Sequence, residues 1–355
     1  MADNKRLTKA KAEKQDEFYT QLKDIEEELR HYKNFFEGKI VLCNCDDPFE
    51  SNFFKYFALN FNSLKLKKLI CTCYAGSSVA YTELNDLPLF QKNKKLPYII
   101  EISEVPDLND DGATDLSDIE LLLKSRENTL TLLDGDGDFR SEECVGFLEE
   151  ADVVVTNPPF SLFREFIDLL LQKNKKFLIL GNMTAITHKK IFPYIRDNKL
   201  WTGYKRFGGG MDMIMPKNIF DSDKVKKYYI NERNEIIVNI MGVIWYTNID
   251  IPKRHEDTIL YKHFSEKEFP KYDNYDAINV NKVAEIPCDY FGIIGVPITF
   301  LSIHNPDQFD LVGCSYSYGR PSEWPENTKM TPTVNGKNIF KRLFIKRRNN
   351  ENRTS

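Results

Sequence analysis

The sequence predicts an α/β protein built on a parallel sheet with helices on both faces. Three observations predict it. Short, continuous apolar runs such as "KIVLCNC", "KKLICTCYA", "ADVVVT" and "KKFLILGNM" lack the polar alternation of a half-exposed strand. Between them lie segments whose apolar residues recur every three or four positions, the period of a helix. The chain has 355 residues, 41% hydrophobic and 29% charged, enough for one large domain with an appendage or for two domains.

In order, residues 1 to 20 are polar with a basic first half. Leu22, Ile25, Leu29, Tyr32 and Phe36 then form one helical stripe, with Thr20 as its N-cap and Gly38 as its stop. The stripe lasts only about two heptads, so it docks on a core rather than forming a dimer seam. "KIVLCNC" is the first buried strand, "DDPFESN" its turn, "FFKYFALNF" a helix and "KKLICTCYA" the second strand. An acidic loop, "EISEVPDLNDDGATDLSDIELLL", follows. "TLTLLDGDGDF" is a third strand ending in a glycine-rich turn, and "ADVVVTNPPF" is a fourth. "SLFREFIDLLLQ" is an amphipathic helix with Leu162, Phe166, Leu169 and Leu170 on one side, and "KKFLILGNM" is the fifth strand. Beyond Leu200 the texture changes. "RFGGGMDMIMP" is a flexible loop, "EIIVNIMGVIWYTNID" holds one or two strands near the sheet edge, and short strands alternate with turns from Ile251 on. The expected division is an N-terminal arm and helix (1–36), a core domain (37–250) and a carboxyl-terminal region (251–355).

Composition excludes several classes. No run of 18 apolar residues exists to span a membrane, and the N-terminus lacks the apolar core of a secretory signal. A cytoplasmic protein with seven reduced cysteines is expected. A net charge of -4 argues against indiscriminate coating of nucleic acid but permits a local basic cleft. Lysines cluster at Lys65, Lys67 and Lys68; at Lys92, Lys94 and Lys95; at Lys224, Lys226 and Lys227; and in "KRLFIKRR". Any of these is either a solvated face or a phosphate contact.

No resident metal is expected. Cys43/Cys45 and Cys71/Cys73 have one residue between them, too few for a zinc pair, and an i, i+2 pair on a strand suits a buried face. The five histidines include no His-Glu-x-x-His. "DLNDDGATDLSD" nearly matches a calcium loop, with Asp107, Asn109, Asp111, Gly112, Asp115 and Asp118 at ligand positions. Its last position is Asp rather than the usual Glu, and the segment before it reads as strand; the other reading is a solvated loop of Asx turns.

The chemistry concentrates at Asn157-Pro158-Pro159-Phe160, where the fourth strand ends. Ligands of parallel sheets bind beyond the carboxyl ends of the strands. The prolines hold this corner extended. The Asn157 side-chain oxygen and the Pro158 carbonyl can then accept both hydrogens of a planar exocyclic amine, while Phe160 offers a face to its ring. Accepting both hydrogens frees the nitrogen lone pair to attack an activated methyl group, so catalysis is mainly positioning. A base inside a duplex would have to be flipped out to reach such a corner.

On these residues the sequence resembles the adenine-specific DNA methyltransferases, and within them the EcoRI-type modification methylases. Asn157 to Phe160 match the wider family's Asp/Asn-Pro-Pro-Tyr/Phe motif. The resemblance implies a Rossmann-like S-adenosylmethionine-dependent sheet with a carboxyl-terminal target-recognition portion. It implies that Asn157 and Pro158 grip the adenine N6 amine, with Pro159 completing the bend and Phe160 stacking on the base. "DEFYTQL" is similar to the family element in which Phe18, Tyr19 and Thr20 would line the cofactor pocket. "GDGDF" resembles the element after the third strand, where Asp136 would contribute, Asp138 would accept from the cofactor adenine and Phe139 would pack on it. "VLCNCDDPFESNFFKYF" fits the first strand and loop, so Cys43, Asn44, Asp46 and Pro48 would face the methionine or ribose part. "VPITFL" and "NGKNIFKRLFIKRR" resemble the type's carboxyl-terminal portion. Two features depart from the wider family: the glycine-rich first loop is absent, and no carboxylate closes the second strand, which leaves Asp46 and Asp47 as ribose candidates.

The implied activity is methylation of adenine N6 in a specific double-stranded DNA sequence, as the modification half of a restriction–modification system or as an orphan methylase. A cognate endonuclease would act on the same site without a stable complex. The sequence would be read from the loop after Trp201 and from the carboxyl-terminal region. The alternatives are a catalytically silent DNA-binding relative and a methyltransferase for RNA adenine or protein glutamine.

Overall fold

The computed structural model of the chain describes residues 18–45, 51–74, 97–109, 112, 114–115, 118–119, 121–122, 130–217, 220–223, 225–315 and 331–348. They divide into two units, Met1–Gly181 with Gly208–Tyr246 and Asn182–Phe207 with Thr247–Ser355. Residues 182–207, read from the sequence as part of the block 37–250, therefore group with the second unit.

The first unit opens with β1 (Tyr19–Thr20) and α1 (Leu22–Leu29). Helix continues as a tighter turn over Arg30–Tyr32 and a last turn over Lys33–Phe36, and the chain leaves it at Gly38, φ +71°. Ile25, Leu29, Tyr32 and Phe36 are buried, as the stripe requires. The start differs from expectation. Thr20 belongs to a strand, and Gln21 caps the helix without a side-chain bond because its amide donates to the Asp212 carbonyl (2.7 Å).

The large sheet is built from β2 (Ile40–Asn44), β3 (Lys68–Thr72), β4 (Tyr98–Ile102), β5 (Leu130–Leu132), β6 (Val153–Thr156) and β7 (Lys176–Asn182). Their order across it is β5-β4-β3-β2-β6-β7, with Val243–Thr247 beyond β7. β3, β2, β6 and β7 run parallel in succession. β4 is antiparallel to both β3 and β5, so the sheet is mixed and not parallel throughout. An apolar run reports burial but not direction, which is why the sequence could not show the reversal. Cys43 stands opposite Cys71 and both are buried, as the cysteine spacing suggested. Helix α2 (Asn52–Leu59) packs near β3, α3 (Glu142–Glu150) near β2, and Phe163 of α4 (Phe163–Gln172) lies against Gly181 of β7. Each of the first two starts on a serine, Ser51 and Ser141, whose hydroxyl accepts from the third residue on. A separate small sheet sets β1 against Met211–Met215, which in turn pairs with Ile236–Ile240.

Among its described residues the acidic loop is held by carboxylates that accept from backbone N–H groups. The Asp118 carboxylate accepts from Leu108, Asn109 and Asp115 N–H groups, and Asp107 accepts from Gly112. The Asp115 N–H, with those of Leu108 and Asn109, holds Asp118 below the usual carboxylate range. Asp111 lies outside the described residues, as do Lys92, Lys94, Lys95 and Lys224.

The second unit carries a four-stranded sheet in the order Ile278–Asn279, Ile294–Pro297, Arg342–Arg347, Phe309–Cys314. The basic run "KRLFIKRR" is thus largely an inner strand. Arg342 is buried and donates to the Phe340 carbonyl, and Arg348 pairs with Asp310 (2.7 Å). Of the first lysine cluster, Lys65 pairs with Glu37 and Lys68 with Glu101 and Glu150. Among the described residues no helix is long and apolar enough to cross a membrane.

His304 sits in this unit, 7% exposed, its Nε2–H donating to the Phe309 carbonyl (3.0 Å). Burial pushes the imidazole down from 6.5 to about 4. Between those values the unfolded chain binds a proton that the folded chain does not. Stability therefore falls as pH drops from 6.5 to about 4 and levels off below, by about 3 kcal/mol in all. His304→Gln keeps the donor without the titration. Urea midpoints at pH 7 and pH 4.5 should show a larger acid loss in the wild type than in the variant.

Candidate active site

β6 lies between β2 and β7, fully buried, and its end delivers Asn157. β2 runs parallel beside it, so the carboxyl ends of the two strands are neighbours. The Thr156 hydroxyl donates to the Asn44 carbonyl and ties those ends together. Asn157, from the next position, is 7% exposed. Its Nδ2 donates to the carbonyl of Phe18 (2.7 Å). A carbonyl can only accept, so this bond fixes which way the amide faces. The other end of the amide, Oδ1, is buried and has no partner among the described residues.

The Phe18–Thr20 segment is held from a second side. Asn52, the first residue of α2, donates from Nδ2 to the Thr20 carbonyl (2.8 Å). The structure thus brings together three stretches far apart in sequence: 18–20, 43–45 and 157–160. Five buried side-chain polar atoms lack a partner among the described residues, and three of them lie here: Thr20 Oγ1, Asn44 Oδ1 and Asn157 Oδ1. Each such atom costs about 1–3 kcal/mol when left unmatched, so their concentration marks a place built to receive donors.

The turn after β5 reaches the same edge of the sheet. Gly137 (φ +77°) passes so close to the Cys73 carbonyl, just beyond β3, that a Cβ would fall well under 3.0 Å from it. Glu143 caps the turn, accepting from the Asp134 and Gly135 N–H groups (3.1 Å each). Asp136 accepts from the Asp138 N–H (2.9 Å). The Asp138 carboxylate is engaged by Arg140 through Nε (2.9 Å) and Nη2 (2.6 Å), and Arg140 also reaches Glu165 on α4 (3.1 Å). Phe139 is buried, edge-on to Phe166 of α4 with ring centroids 5.0 Å apart.

The remaining sequence-derived residues fall as follows. Tyr19 and Cys43 are buried, and Phe18 is partly so. Pro158 is buried, Pro159 is partly exposed, and the Pro159 carbonyl accepts from Leu162 as the chain turns into α4. The Phe160 ring, expected to present a face, retains 9% exposure. Left open, it would hold apolar area in water at about 25 cal/mol per Å², so the chain folds it in. Asp46, Asp47 and Pro48 lie outside the described residues. Cys45 holds φ +88°, a left-handed conformation, at the place where the wider family carries glycines. Sequence reasoning missed Asn52, Gly137, Arg140 and Glu143. Gly137 was readable as a glycine in a tight turn; nothing in the sequence ties Asn52 to Thr20 or Arg140 to Glu165.

The sequence model of the family described as "Adenine-specific methyltransferase EcoRI" matches residues 6–352. The chain is 42% identical over 315 residues to the Type II methyltransferase M.EcoRI of Escherichia coli, covering 88% of this chain and 89% of that protein. It is 36% identical over 351 residues to the Type II methyltransferase M.MgeORF184P of Mycoplasma genitalium, covering 96% and 98%. It is 34% identical over 356 residues to the Type II methyltransferase M.MpnI of Mycoplasma pneumoniae, covering 97% and 98%. No solved structure gives a significant match.

Proposed function

The chain belongs to the EcoRI family of adenine-specific methyltransferases, and from that premise we propose that it methylates adenine N6 in one double-stranded DNA sequence, with S-adenosylmethionine as donor and the base turned out of the duplex. The observation that carries this reading is Asn157: an amide locked by the Phe18 carbonyl, whose buried Oδ1 is left to accept from a ligand.

The residues divide the work. Asn157 Oδ1 accepts one hydrogen of the N6 amine and the Pro158 carbonyl accepts the other. That pairing pulls the nitrogen towards tetrahedral geometry and releases its lone pair from the ring. Pro158 and Pro159 stiffen the corner, so little reorganisation is needed at the moment of transfer. Phe160 stacks on the extruded base once its ring is uncovered.

The donor site fits a group rich in hydrogen-bond donors. Thr20 Oγ1 and Asn44 Oδ1 would receive them, and Phe18, Tyr19, Cys43, Asp46, Pro48, Asp136, Asp138 and Phe139 would complete the enclosure. When bound, S-adenosylmethionine supplies a methyl group made electrophilic by its sulfonium charge. The names of the relatives support a place in a Type II restriction–modification pair, with an endonuclease reading the same sequence.

Sequencing for modified bases in DNA from cells expressing the chain tests the proposal. N6-methyladenine confined to one sequence context is expected, and it should disappear with Asn157→Ala while donor binding persists. Modified cytosine, or modification restricted to RNA or protein, would overturn it.

A further inference from the structure

The second unit places three metal-binding donors of different chemistry side by side, outside the candidate active site. Lys262 and Pro287 form a parallel bridge, and the Cys288 N–H donates to the Lys262 carbonyl (2.8 Å). The two segments following that bridge present His263, Cys288 and Asp289 to one another. His263 Nδ1 lies 3.0 Å from Asp289 Oδ2 and 3.8 Å from Cys288 Sγ. All three donor atoms lie within 4.8 Å of one another.

We propose that His263, Cys288 and Asp289 form a zinc-class divalent cation site, with water in the fourth position. The donor set decides the class: a thiolate and an imidazole are poor ligands for magnesium or calcium and good ones for zinc. The spacing fits as well. Zinc bonds of about 2.0–2.3 Å in a tetrahedron put neighbouring donors about 3.3–3.7 Å apart. The observed 3.0 and 3.8 Å bracket that range, so side-chain adjustments of a few tenths of an ångström suffice.

The surroundings support the donors. Asp289 Oδ1 accepts from the Phe264 N–H (2.7 Å), which fixes the carboxylate and aims Oδ2 at His263 Nδ1; an ion between them would replace that hydrogen bond, with the imidazole proton carried on Nε2. The Arg347 guanidinium donates to the Cys288 carbonyl and lies over the Phe291 ring. Phe264 packs on Tyr290, ring centroids 4.7 Å apart. Binding replaces the Cys288 S–H bond with an S–metal bond and releases that proton to solvent, so affinity rises with pH. The site could not be read from the sequence, because His263 precedes Cys288 by 25 positions and no short-spaced ligand pair marks either end. It stands independently of the methyl-transfer reading.

Cobalt(II) titration of the reduced, chelator-treated full-length protein tests it. One equivalent should bind with thiolate-to-cobalt charge-transfer absorption in the near ultraviolet. Cys288→Ser should remove that band, whereas Cys45→Ser should keep it. His263→Gln and Asp289→Asn should each weaken binding more than about tenfold. Zinc should raise the melting temperature of the wild type but not of Cys288→Ser. Absence of the band, its survival in Cys288→Ser, or its loss in Cys45→Ser alone would overturn the assignment.

Discussion

Asn157→Asp is expected to lose about 10²–10³-fold in the rate of methyl transfer at pH 8, although the wider family's motif accepts Asp at this position. The reason is the carbonyl of Phe18, 2.7 Å from Asn157 Nδ2. An amide satisfies that carbonyl and keeps an acceptor for the substrate. A carboxylate sets one oxygen against another in a buried place, and the chain must shift or take up a proton. Burial and the facing carbonyl both push such a carboxyl upwards. Once protonated, it donates to Phe18 and again offers an acceptor. The variant's single-turnover rate should therefore climb about tenfold per pH unit as pH falls from 8 towards 6.5, while Asn157→Ala stays flat. Keeping above pH 6.5 leaves His304 out of the measurement. A pH-independent, near-normal rate in Asn157→Asp would remove Phe18 as the orienting group.

The second large effect is on folding. Gly137→Ala should destabilise the first unit by about 2–4 kcal/mol, because an alanine resists φ +77° and its Cβ meets the Cys73 backbone rather than a movable side chain. The turn carrying Asp136, Asp138 and Phe139 would lift from the end of β3, so donor affinity should drop more than tenfold, by an estimate of order 1.4 kcal/mol or more. Gly146→Ala is the matched control. It lies in α3 with nothing within 4 Å of the added carbon, and should gain about 0.5–1 kcal/mol. Urea midpoints that move the two variants in the same direction would refute the close-approach argument.

Much of the fold was legible. The buried strands over 40–44, 68–72, 153–156 and 176–182 and the helix over 163–172 follow from periodicity and apolar continuity. Strand direction was not, as β4 shows, because apolar content carries no polarity. The corner at Asn157 could be located because proline restricts its neighbours and strand ends bind ligands. Its orientation could not be read, because that depends on a backbone carbonyl 139 positions away. The basic stretch over 341–348 was read as surface, and Lys346 and Arg348 are exposed, but Arg342 is buried, since charge density does not reveal which guanidinium groups find carbonyls.

The clamp on Asn157 also sets when the enzyme can become competent. Tyr19 pairs with Ile214 and Thr20 with Met213, so β1 has no partner strand until those later residues are made. At roughly 5–20 residues per second, about 10–40 s of synthesis separate the two. A nascent chain can close its central strands during that interval, yet the segment that steers its carboxamide is held by Asn52 and not by a partner strand. Fragments ending before Met211 are thus expected to be inert.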